Sequence, residues 1–333
     1  MKICVLLLFS IAVVFTPQCD RGSKQSSGNG VTFVAAGDFG MTSDTSATLE
    51  MMSKARPDFI LALGDLSYST TLPESAWCDY VRSKVGPTLP FQLLSGNHED
   101  DFGKEGQIRK FAACLPDKMR ATGKYPEEYY FDLGKLARII AISPDLTIGE
   151  EHYYYGHSNS HYQWLVKAID DARAAGVQWV IVAMHKNCLS MGSYYCNVYA
   201  DLMNLLVSKK VDLVLQGHDH TYQRTKQLAL GRACTEIAID SFNANCIIDD
   251  GADNRYRKGK GPVFVTAGTG GGELFDINTQ DSEAGYFVKW MGANIEPRKG
   301  FVKIVLSRDQ VSAEFIGSTV TSTFTDSFVI AAN

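Results

Sequence analysis

The sequence predicts an α/β fold built on mixed β-sheet, and three observations support that prediction. Several short apolar runs end at a glycine followed by a carboxylate, amide or imidazole residue, as buried strands do when they turn at the edge of a sheet. Segments with helical periodicity lie between these runs, which is the order expected of βαβ units. Two further apolar segments are joined only by Gly134 and Lys135, which predicts an antiparallel hairpin.

Size and charge narrow the class of protein. The chain has 333 residues, of which 45% are hydrophobic, so it can bury a large core as one big domain or two modest ones. Its formal net charge is −5, and the lysines and arginines are scattered along the chain. A nucleic-acid partner is therefore not expected.

The amino terminus has the pattern of an export signal. Met1 and Lys2 precede an apolar run over residues 3–15, which is too short to be a stable membrane span. We predict a signal peptide or lipoprotein signal over residues 1–19. Cys19 is a candidate for lipid anchoring, although Thr16-Pro17-Gln18 lacks the small residue expected before a lipidated cysteine.

Residues 20–30 are polar and small and predict a flexible tether ahead of a catalytic domain over residues 31–333.

Six cysteines follow the tether, and several of them lie close to another cysteine in the sequence. Fifteen pairings of six cysteines are conceivable. Disulfides would place the protein outside the cytoplasm, in an extracellular, periplasmic or cell-surface location. The pairs favoured by spacing are Cys78 with Cys114, Cys188 with Cys196, and Cys234 with Cys246.

Strands and helices alternate through most of the chain. Apolar, β-branched runs predict strands over residues 31–36, 59–63, 90–95, 128–133, 136–143, 177–184, 211–216 and 262–267. Helical periodicity, with Pro57 and Gly176 as stop signals, predicts helices over residues 45–55, 74–84, 161–175 and 198–208. Alternating patterns near the end predict antiparallel strands over residues 300–306, 310–317 and 327–330.

Five of these strands end in residues that bind metals. The candidate ligands are Asp38, Asp65, Tyr68, Asn97, His185, His218 and His220. A structural zinc site closes with four ligands, so seven predict two metal ions that share one carboxylate, for which we take Asp65. Oxygen and nitrogen donors without thiolate favour iron, manganese or zinc.

The motifs together resemble a known family. The series Gly37-Asp38-x-Gly40, Gly64-Asp65-x-x-Tyr68, Gly96-Asn97-His98-Glu99, Val182-x-x-His185 and Gly217-His218-x-His220 resembles the calcineurin-like metallophosphoesterases. Within that superfamily, Tyr68 points to the purple acid phosphatases of the tartrate-resistant type. The resemblance covers roughly residues 31–275. It implies two mixed β-sheets packed as a sandwich with helices outside, an α-β-β-α arrangement.

The resemblance also implies a ligand assignment and a reaction. A ferric ion, Fe(III), would be held by Asp38, Asp65, Tyr68 and His220, and a divalent iron, zinc or manganese by Asp65, Asn97, His185 and His218. A metal-bound hydroxide would attack the phosphorus of a small phosphorylated substrate. His98 would protonate the leaving alcohol, which suits an imidazole. The predicted activity is that of an acid phosphatase acting on phosphate monoesters.

One loop departs from the family pattern. Family members commonly carry substrate-binding histidines after the position of His185, whereas residues 186–196 contain none. Lys186, Tyr194 or Tyr195 could replace them, with Asn97 as a further substrate contact. A phosphodiesterase or nucleotide-directed hydrolase is therefore the alternative activity, and a non-catalytic binding protein is disfavoured by the intact ligand set.

Three other features have structural explanations that we prefer. Gly268 to Gly272 lacks the lysine of a P-loop, so close packing near the metals is expected there. The histidines at 152, 157 and 161 are expected at the surface or rim of the site, with a third metal site as the alternative. Arg224 is interpreted as an ion-pair partner, with a substrate clamp as the alternative.

Overall fold

The computed structural model describes residues 30–100 and 105–332. The predicted signal over residues 1–19, Cys19 and nearly all of the predicted tether lie outside the described residues. None of the helices in the described ranges combines the length and the apolarity needed to cross a membrane.

The first sheet has seven strands and combines parallel with antiparallel pairs. Its strands are β1 (Val31–Ala36), β2 (Phe59–Ala62), β3 (Phe91–Gln92), β14 (Arg255–Arg257), β17 (Gly300–Leu306), β18 (Gln310–Gly317) and β19 (Ser327–Ala331). The order across the sheet is β14-β19-β18-β17-β1-β2-β3, with β1, β2 and β3 parallel to one another. The predicted strand at 90–95 is therefore shorter than expected, because only two of its residues pair with β2 at this edge.

The second sheet has eight strands and is also mixed. Its strands are β4 (Thr122–Lys124), β5 (Glu128–Leu133), β6 (Ala137–Ala141), β9 (Trp179–Ala183), β10 (Leu213–Gln216), β11 (Tyr222–Thr225), β15 (Val263–Ala267) and β16 (Phe287–Met291). The order is β16-β11-β15-β10-β9-β6-β5-β4, and β6, β9, β10 and β15 are mutually parallel. The predicted hairpin is confirmed as the antiparallel pair β5 and β6.

Four short strands form two small ribbons outside these sheets. They are β7 (Thr147–Ile148) with β8 (Glu151–His152), and β12 (Gln227–Leu228) with β13 (Ile247–Asp249). Five α-helices complete the fold: α1 (Ser43–Lys54), α2 (Glu74–Val85), α3 (Ile108–Cys114), α4 (Ser160–Ala174) and α5 (Tyr199–Ser208). Helix α3, the four ribbon strands and strands β4, β11, β14 and β16 were not predicted.

The two sheets pack face to face. Successive side chains of each strand point to opposite faces of its sheet, so one face can pack on the other sheet while the other face is covered by helices. Side chains such as Phe59, Leu61, Ile181 and Leu215 form the core between the sheets. The opposite faces, with residues such as Ile60 and Val182, are buried in a second core that also contains apolar residues of helices α1, α2, α4 and α5. The α-β-β-α sandwich implied by the resemblance is therefore confirmed.

Three disulfides link the pairs that spacing favoured. They join Cys78 to Cys114, Cys188 to Cys196, and Cys234 to Cys246. The second of these closes a loop that begins three residues after His185. The loop is therefore tied down beside one of the predicted ligands.

Candidate metal centre

The predicted ligands meet where the parallel strands of both sheets end. Sheet one contributes four oxygen donors, and sheet two contributes three imidazoles. The oxygen donors are Asp38 after β1, Asp65 and Tyr68 after β2, and Asn97 after β3. The imidazoles are His185 after β9, and His218 and His220 after β10.

Tight turns deliver these side chains. All seven candidate ligands lie in the described ranges, and four have left-handed backbone, with φ of 62° at Asp38, 51° at Asp65, 52° at Tyr68 and 71° at His218. Such conformations are costly for residues other than glycine, and they cluster at functional sites. Hydrogen bonds between the two turns hold them: Asp38 N donates to Gly64 O at 3.1 Å and Phe39 N to Asp65 O at 2.9 Å.

One group of donors surrounds the Tyr68 hydroxyl. Its oxygen lies 3.2 Å from Asp38 Oδ1, 3.1 Å from Asp65 Oδ2 and 2.9 Å from His220 Nε2. The other ring nitrogen of His220, Nδ1, bonds to the carbonyl oxygen of Glu273 at 2.5 Å. That bond orients the ring, so Nε2 is the nitrogen that faces the carboxylates.

A second group surrounds His185. Its Nε2 lies 3.3 Å from Asp65 Oδ1 and 3.1 Å from Asn97 Oδ1, while its Nδ1 bonds to the carbonyl oxygen of Leu63 at 2.7 Å. The ring of His218 lies beside it, with a centroid separation of 5.0 Å. The backbone N–H of His218 donates to Asp38 Oδ2 at 3.0 Å, which connects this group to the first.

The donor atoms are close enough together to hold metal ions. Asp65, His185 and His218 offer ligand atoms within 4.8 Å of one another, and so do Asp38, Asp65 and His220. Asp65 belongs to both groups, as a bridging carboxylate must. The buried oxygen and nitrogen donors, with no thiolate among them, fit two ions of the iron, zinc or manganese kind.

Burial and mutual proximity shift the protonation of these groups. Burial opposes the charged form of Asp65, but His185 and His98 more than compensate and lower its pKa. Burial likewise disfavours the imidazolium of His185, yet Asp65 raises its pKa above the usual value. Burial and the neighbouring His185 lower the pKa of His218 to about 2, and burial together with Asp38 and Asp65 raises that of the Tyr68 phenol. His218 is thus a neutral imidazole, the form that binds metals.

His98 lies at the edge of the centre. Its side chain is 30% exposed, its Nε2 is 3.7 Å from Asp65 Oδ2 and its Nδ1 is 3.4 Å from Glu105 Oε2. Its ring packs edge to face on Tyr68, with a centroid separation of 4.5 Å. The structure therefore places His98 beside the donor groups with access to solvent.

The three candidate substrate residues in and just before the disulfide loop differ in position. Tyr194 stacks on His218, with a centroid separation of 3.8 Å and an interplanar angle of 14°. Tyr195 is 74% exposed. Lys186 donates to the carbonyl oxygen of Asp145 at 2.7 Å and to its Oδ2 at 2.9 Å. Tyr194 is therefore the one of the three that contacts a candidate ligand.

Glu99 is a positioning residue that the sequence analysis did not identify. Its buried carboxylate accepts hydrogen bonds from Asp65 N at 2.9 Å, Leu66 N at 2.6 Å and Gly96 N at 3.0 Å. It thereby joins the loop after β2 to the loop after β3. Its place in the Gly-Asn-His-Glu motif was the available signal. Burial and the Asp65 carboxylate raise the pKa of Glu99 to about 8.

Asp219, between the two histidines of the last motif, organises the disulfide loop. Its carboxylate accepts hydrogen bonds from Ser193 N at 2.7 Å, Tyr194 N at 3.3 Å and Asn187 Nδ2 at 3.1 Å, and also from the Ser190 hydroxyl.

Phe275 is a further residue near the centre that the sequence analysis did not identify, and its ring stacks on His220 with a centroid separation of 4.1 Å. The glycine stretch packs tightly here, since a Cβ on Gly268 would lie 2.1 Å from Asp219 O.

The remaining candidates have structural partners. His161 is buried, and its Nδ1 lies 3.0 Å from Glu128 Oε1. The expected surface or rim position is therefore wrong for this histidine, because it lies on the buried face of helix α4. His157 and His152 are exposed and do not join it. Arg224 forms a buried pair with Asp326, which confirms the ion-pair interpretation.

Comparison with known proteins adds independent evidence. A family model described as calcineurin-like phosphoesterase matches residues 31–222. The chain is 28% identical over 261 residues to Fe(3+)-Zn(2+) purple acid phosphatase 12 of Arabidopsis thaliana, covering 72% of this chain and 50% of that protein. It is 26% identical over 257 residues to purple acid phosphatase 1 of Ipomoea batatas, with the same coverage. The chain thus spans about half the length of the curated relatives it matches.

A solved structure has the same fold. Purple acid phosphatase PPD1 from yellow lupin (Lupinus luteus) seeds superposes with a TM-score of 0.66 at 18% identity. The match covers 91% of this chain and 54% of the lupin chain. At this identity the likeness supports the metallophosphatase fold and nothing finer.

Proposed function

Because the chain belongs to the calcineurin-like phosphoesterase family, we propose that it is a binuclear metal-dependent hydrolase of phosphate monoesters, similar to the purple acid phosphatases. The observation that supports this most directly is the pair of donor groups that share Asp65. Two metal ions, when bound, polarise phosphoryl oxygens as Lewis acids and supply a nucleophile near neutral pH.

The donor sets favour two different ions. Asp38, Asp65, Tyr68 and His220 would hold Fe(III), because a phenolate is a hard anionic donor that favours a trivalent ion. Asp65, Asn97, His185 and His218 would hold a divalent iron, zinc or manganese, because a neutral amide and two imidazoles suit lower charge. The Fe(3+)-Zn(2+) name of the Arabidopsis relative is consistent with this assignment.

His98 is the proposed general acid. Its imidazole is partly exposed beside the carboxylate shared by both groups, so its Nε2–H can reach the leaving oxygen of a small phosphorylated substrate. Glu105 Oε2 lies 3.4 Å from the opposite ring nitrogen, Nδ1, and so helps to orient the ring. Asn97 and Tyr194, and less directly Tyr195, are the proposed substrate contacts. General acid catalysis contributes about 10²- to 10⁴-fold to such reactions.

The proposed setting is an exported protein. The apolar amino-terminal run and the three disulfides both favour an oxidising compartment. Lipid anchoring through Cys19 belongs to the same proposal. A phosphodiesterase is the alternative activity, since the loop over residues 186–196 carries no histidine.

Activity, metal analysis and colour test this proposal together. The purified chain should contain about two metal ions including iron, absorb broadly in the visible through the Tyr68 phenolate, and hydrolyse p-nitrophenyl phosphate faster than bis-p-nitrophenyl phosphate. Asn97→Ala and His218→Ala should abolish turnover, while Ser193→Ala, a change at an exposed loop residue, should retain it. Full activity in the first two variants would refute the binuclear centre, and preference for the diester would establish the alternative.

The leaving group tests the role of His98. Replacing His98 with Ala should slow hydrolysis of an alkyl phosphate far more than that of p-nitrophenyl phosphate, whose leaving group needs no proton. Equal losses on both substrates would remove His98 from the role of general acid.

A further inference from the structure

The geometry points to a positioning residue for the proposed divalent site. We propose that the side-chain amide of Asn197 fixes the tautomer of His218, so that Nδ1 of this histidine is free to bind the metal. The inference rests on the proposed binuclear centre. It concerns a residue that lies outside both donor groups and directly follows the Cys188–Cys196 loop.

His218 is oriented differently from the other two histidines. His185 and His220 each direct Nδ1 to a backbone carbonyl, at 2.7 Å and 2.5 Å, and so direct Nε2 to the other donors. In His218 it is Nε2 that has a side-chain partner, the Asn197 amide at 3.2 Å. The nitrogen that remains for a metal is therefore Nδ1.

A neutral imidazole has one N–H group and one free nitrogen. If Nδ1 of His218 binds a metal, the ring proton must be on Nε2, where it needs an acceptor. The Asn197 amide supplies that acceptor when its oxygen, rather than its nitrogen, faces the ring, which requires only a half turn of the amide group. Partners of this kind on metal-binding histidines raise ligand basicity and typically contribute 10- to 100-fold to metal affinity.

The loop holds Asn197 in place from two directions. The disulfide ties Cys196 to Cys188, and the Asn197 N–H reaches the carbonyl oxygen of Asn187 at 3.4 Å. Asp219 anchors the middle of the loop and places Tyr194 against the face of His218. His218 is therefore held at its edge by Asn197 and at its face by Tyr194.

Metal titration tests this inference without any measurement of turnover. Protein stripped of metal with a chelator is titrated with Zn²⁺ alone, against a competing chromogenic chelator. Asn197→Ala should weaken one of the two sites 10- to 100-fold and leave the other unchanged. Asn197→Asp, which keeps an acceptor beside Nε2–H, should bind Zn²⁺ at least as tightly as the natural protein.

Ser193→Ala is the matched control, because it changes an exposed side chain of the same loop, keeps the backbone N–H that Asp219 accepts, and should alter neither site. If Asn197→Ala does not fold, Asn197→Ser carries the same prediction, since its hydroxyl is too short to reach the ring. The inference is overturned if Asn197→Ala or Asn197→Ser binds both ions like the natural protein, or if Asn197→Asp is as weak as Asn197→Ala. Failure of the natural protein to take up two ions would instead overturn the proposed function.

Discussion

The buried pair of Arg224 and Asp326 allows a structural role to be separated from a substrate role. Arg224 lies four residues after His220, where a clamp for phosphate would be conceivable, but its guanidinium is engaged elsewhere. Its Nε donates to Asp326 Oδ2 at 2.7 Å and its terminal nitrogen to Asp326 Oδ1 at 2.9 Å. Both side chains are at most 3% exposed. We expect Arg224→Met to reduce stability and to leave the chemistry intact.

The loss of stability expected in Arg224→Met depends on which hydrogen bonds Asp326 keeps. Methionine fills most of the space but removes both bonds to Asp326, together with those to the Tyr256 hydroxyl and Asn254 Oδ1. Asp326 then retains the Tyr222 hydroxyl at 2.7 Å as a side-chain partner for a buried charge. Breaking a buried ion pair on one side costs about 3–5 kcal/mol. The double change Arg224→Met with Asp326→Leu should recover much of that loss, because no uncompensated charge remains.

Urea unfolding at pH 7 with the disulfides intact measures the free energy of unfolding, and steady-state kinetics on p-nitrophenyl phosphate measure kcat/KM. Arg298→Met is the matched control, since Arg298 donates to the carbonyl oxygens of Thr319 and Phe324 and has no carboxylate partner within residues 30–100 and 105–332. It should lose about 1–2 kcal/mol. Unchanged stability in Arg224→Met, or a fall in kcat/KM with the fold intact, would refute the structural role.

Substitutions at three further residues test other buried polar groups. Glu99→Ala removes the acceptor of three backbone N–H groups, so it should cost roughly 3 kcal/mol or more and weaken Zn²⁺ binding, as a urea curve and a metal titration would show. Asp219→Ala should cost about 2–4 kcal/mol in the same urea assay. Asp219→Asn should cost only about 1 kcal/mol, because Asn187 Oδ1, which has no hydrogen-bond partner in the described part of the chain, can accept from the new amide. Lys299 is buried, its Nζ has no hydrogen-bond partner among the described residues, and burial lowers its pKa. Lys299→Met should therefore stabilise by roughly 1–3 kcal/mol near pH 7. The stability of the natural protein should rise with pH between the lowered pKa of Lys299 and its usual value of 10.5, because in that range the unfolded chain binds one more proton than the folded chain. Lys299→Met should abolish this rise.

The clustering of the candidate ligands could be predicted because their signals are local. An apolar run, a glycine and a polar side chain are adjacent in the sequence, and the carboxyl ends of parallel strands are where ligands bind. The histidine motif after β10 and the aspartate motif after β2 both follow this rule. The helices α1, α2, α4 and α5 were also predictable from apolar periodicity, and Pro57 and Gly176 marked the ends of α1 and α4.

The residues around the ligands were not predictable, because their roles depend on pairs that are distant in the chain. Glu99 reaches Asp65 across 34 residues and Asp219 reaches Asn187 across 32, and no periodicity reports such contacts. The separation into two sheets is equally non-local, since β1 pairs with β17 near the other end of the chain. Helix α3 was missed because seven residues are too few to show a clear period.

The division of donors between the sheets ties the geometry of the centre to the packing of the core. Every oxygen donor follows a strand of the first sheet, and every imidazole follows a strand of the second, so neither donor group is complete within one sheet. The distance of 3.3 Å between His185 Nε2 and Asp65 Oδ1 is therefore set by how the two sheets pack. Arg224 on β11 of the second sheet pairs with Asp326, directly before β19 of the first, and so adds stability to a packing that the shared apolar core already sets. A change that lets the sheets slide would move imidazoles against carboxylates, even where no ligand has been replaced.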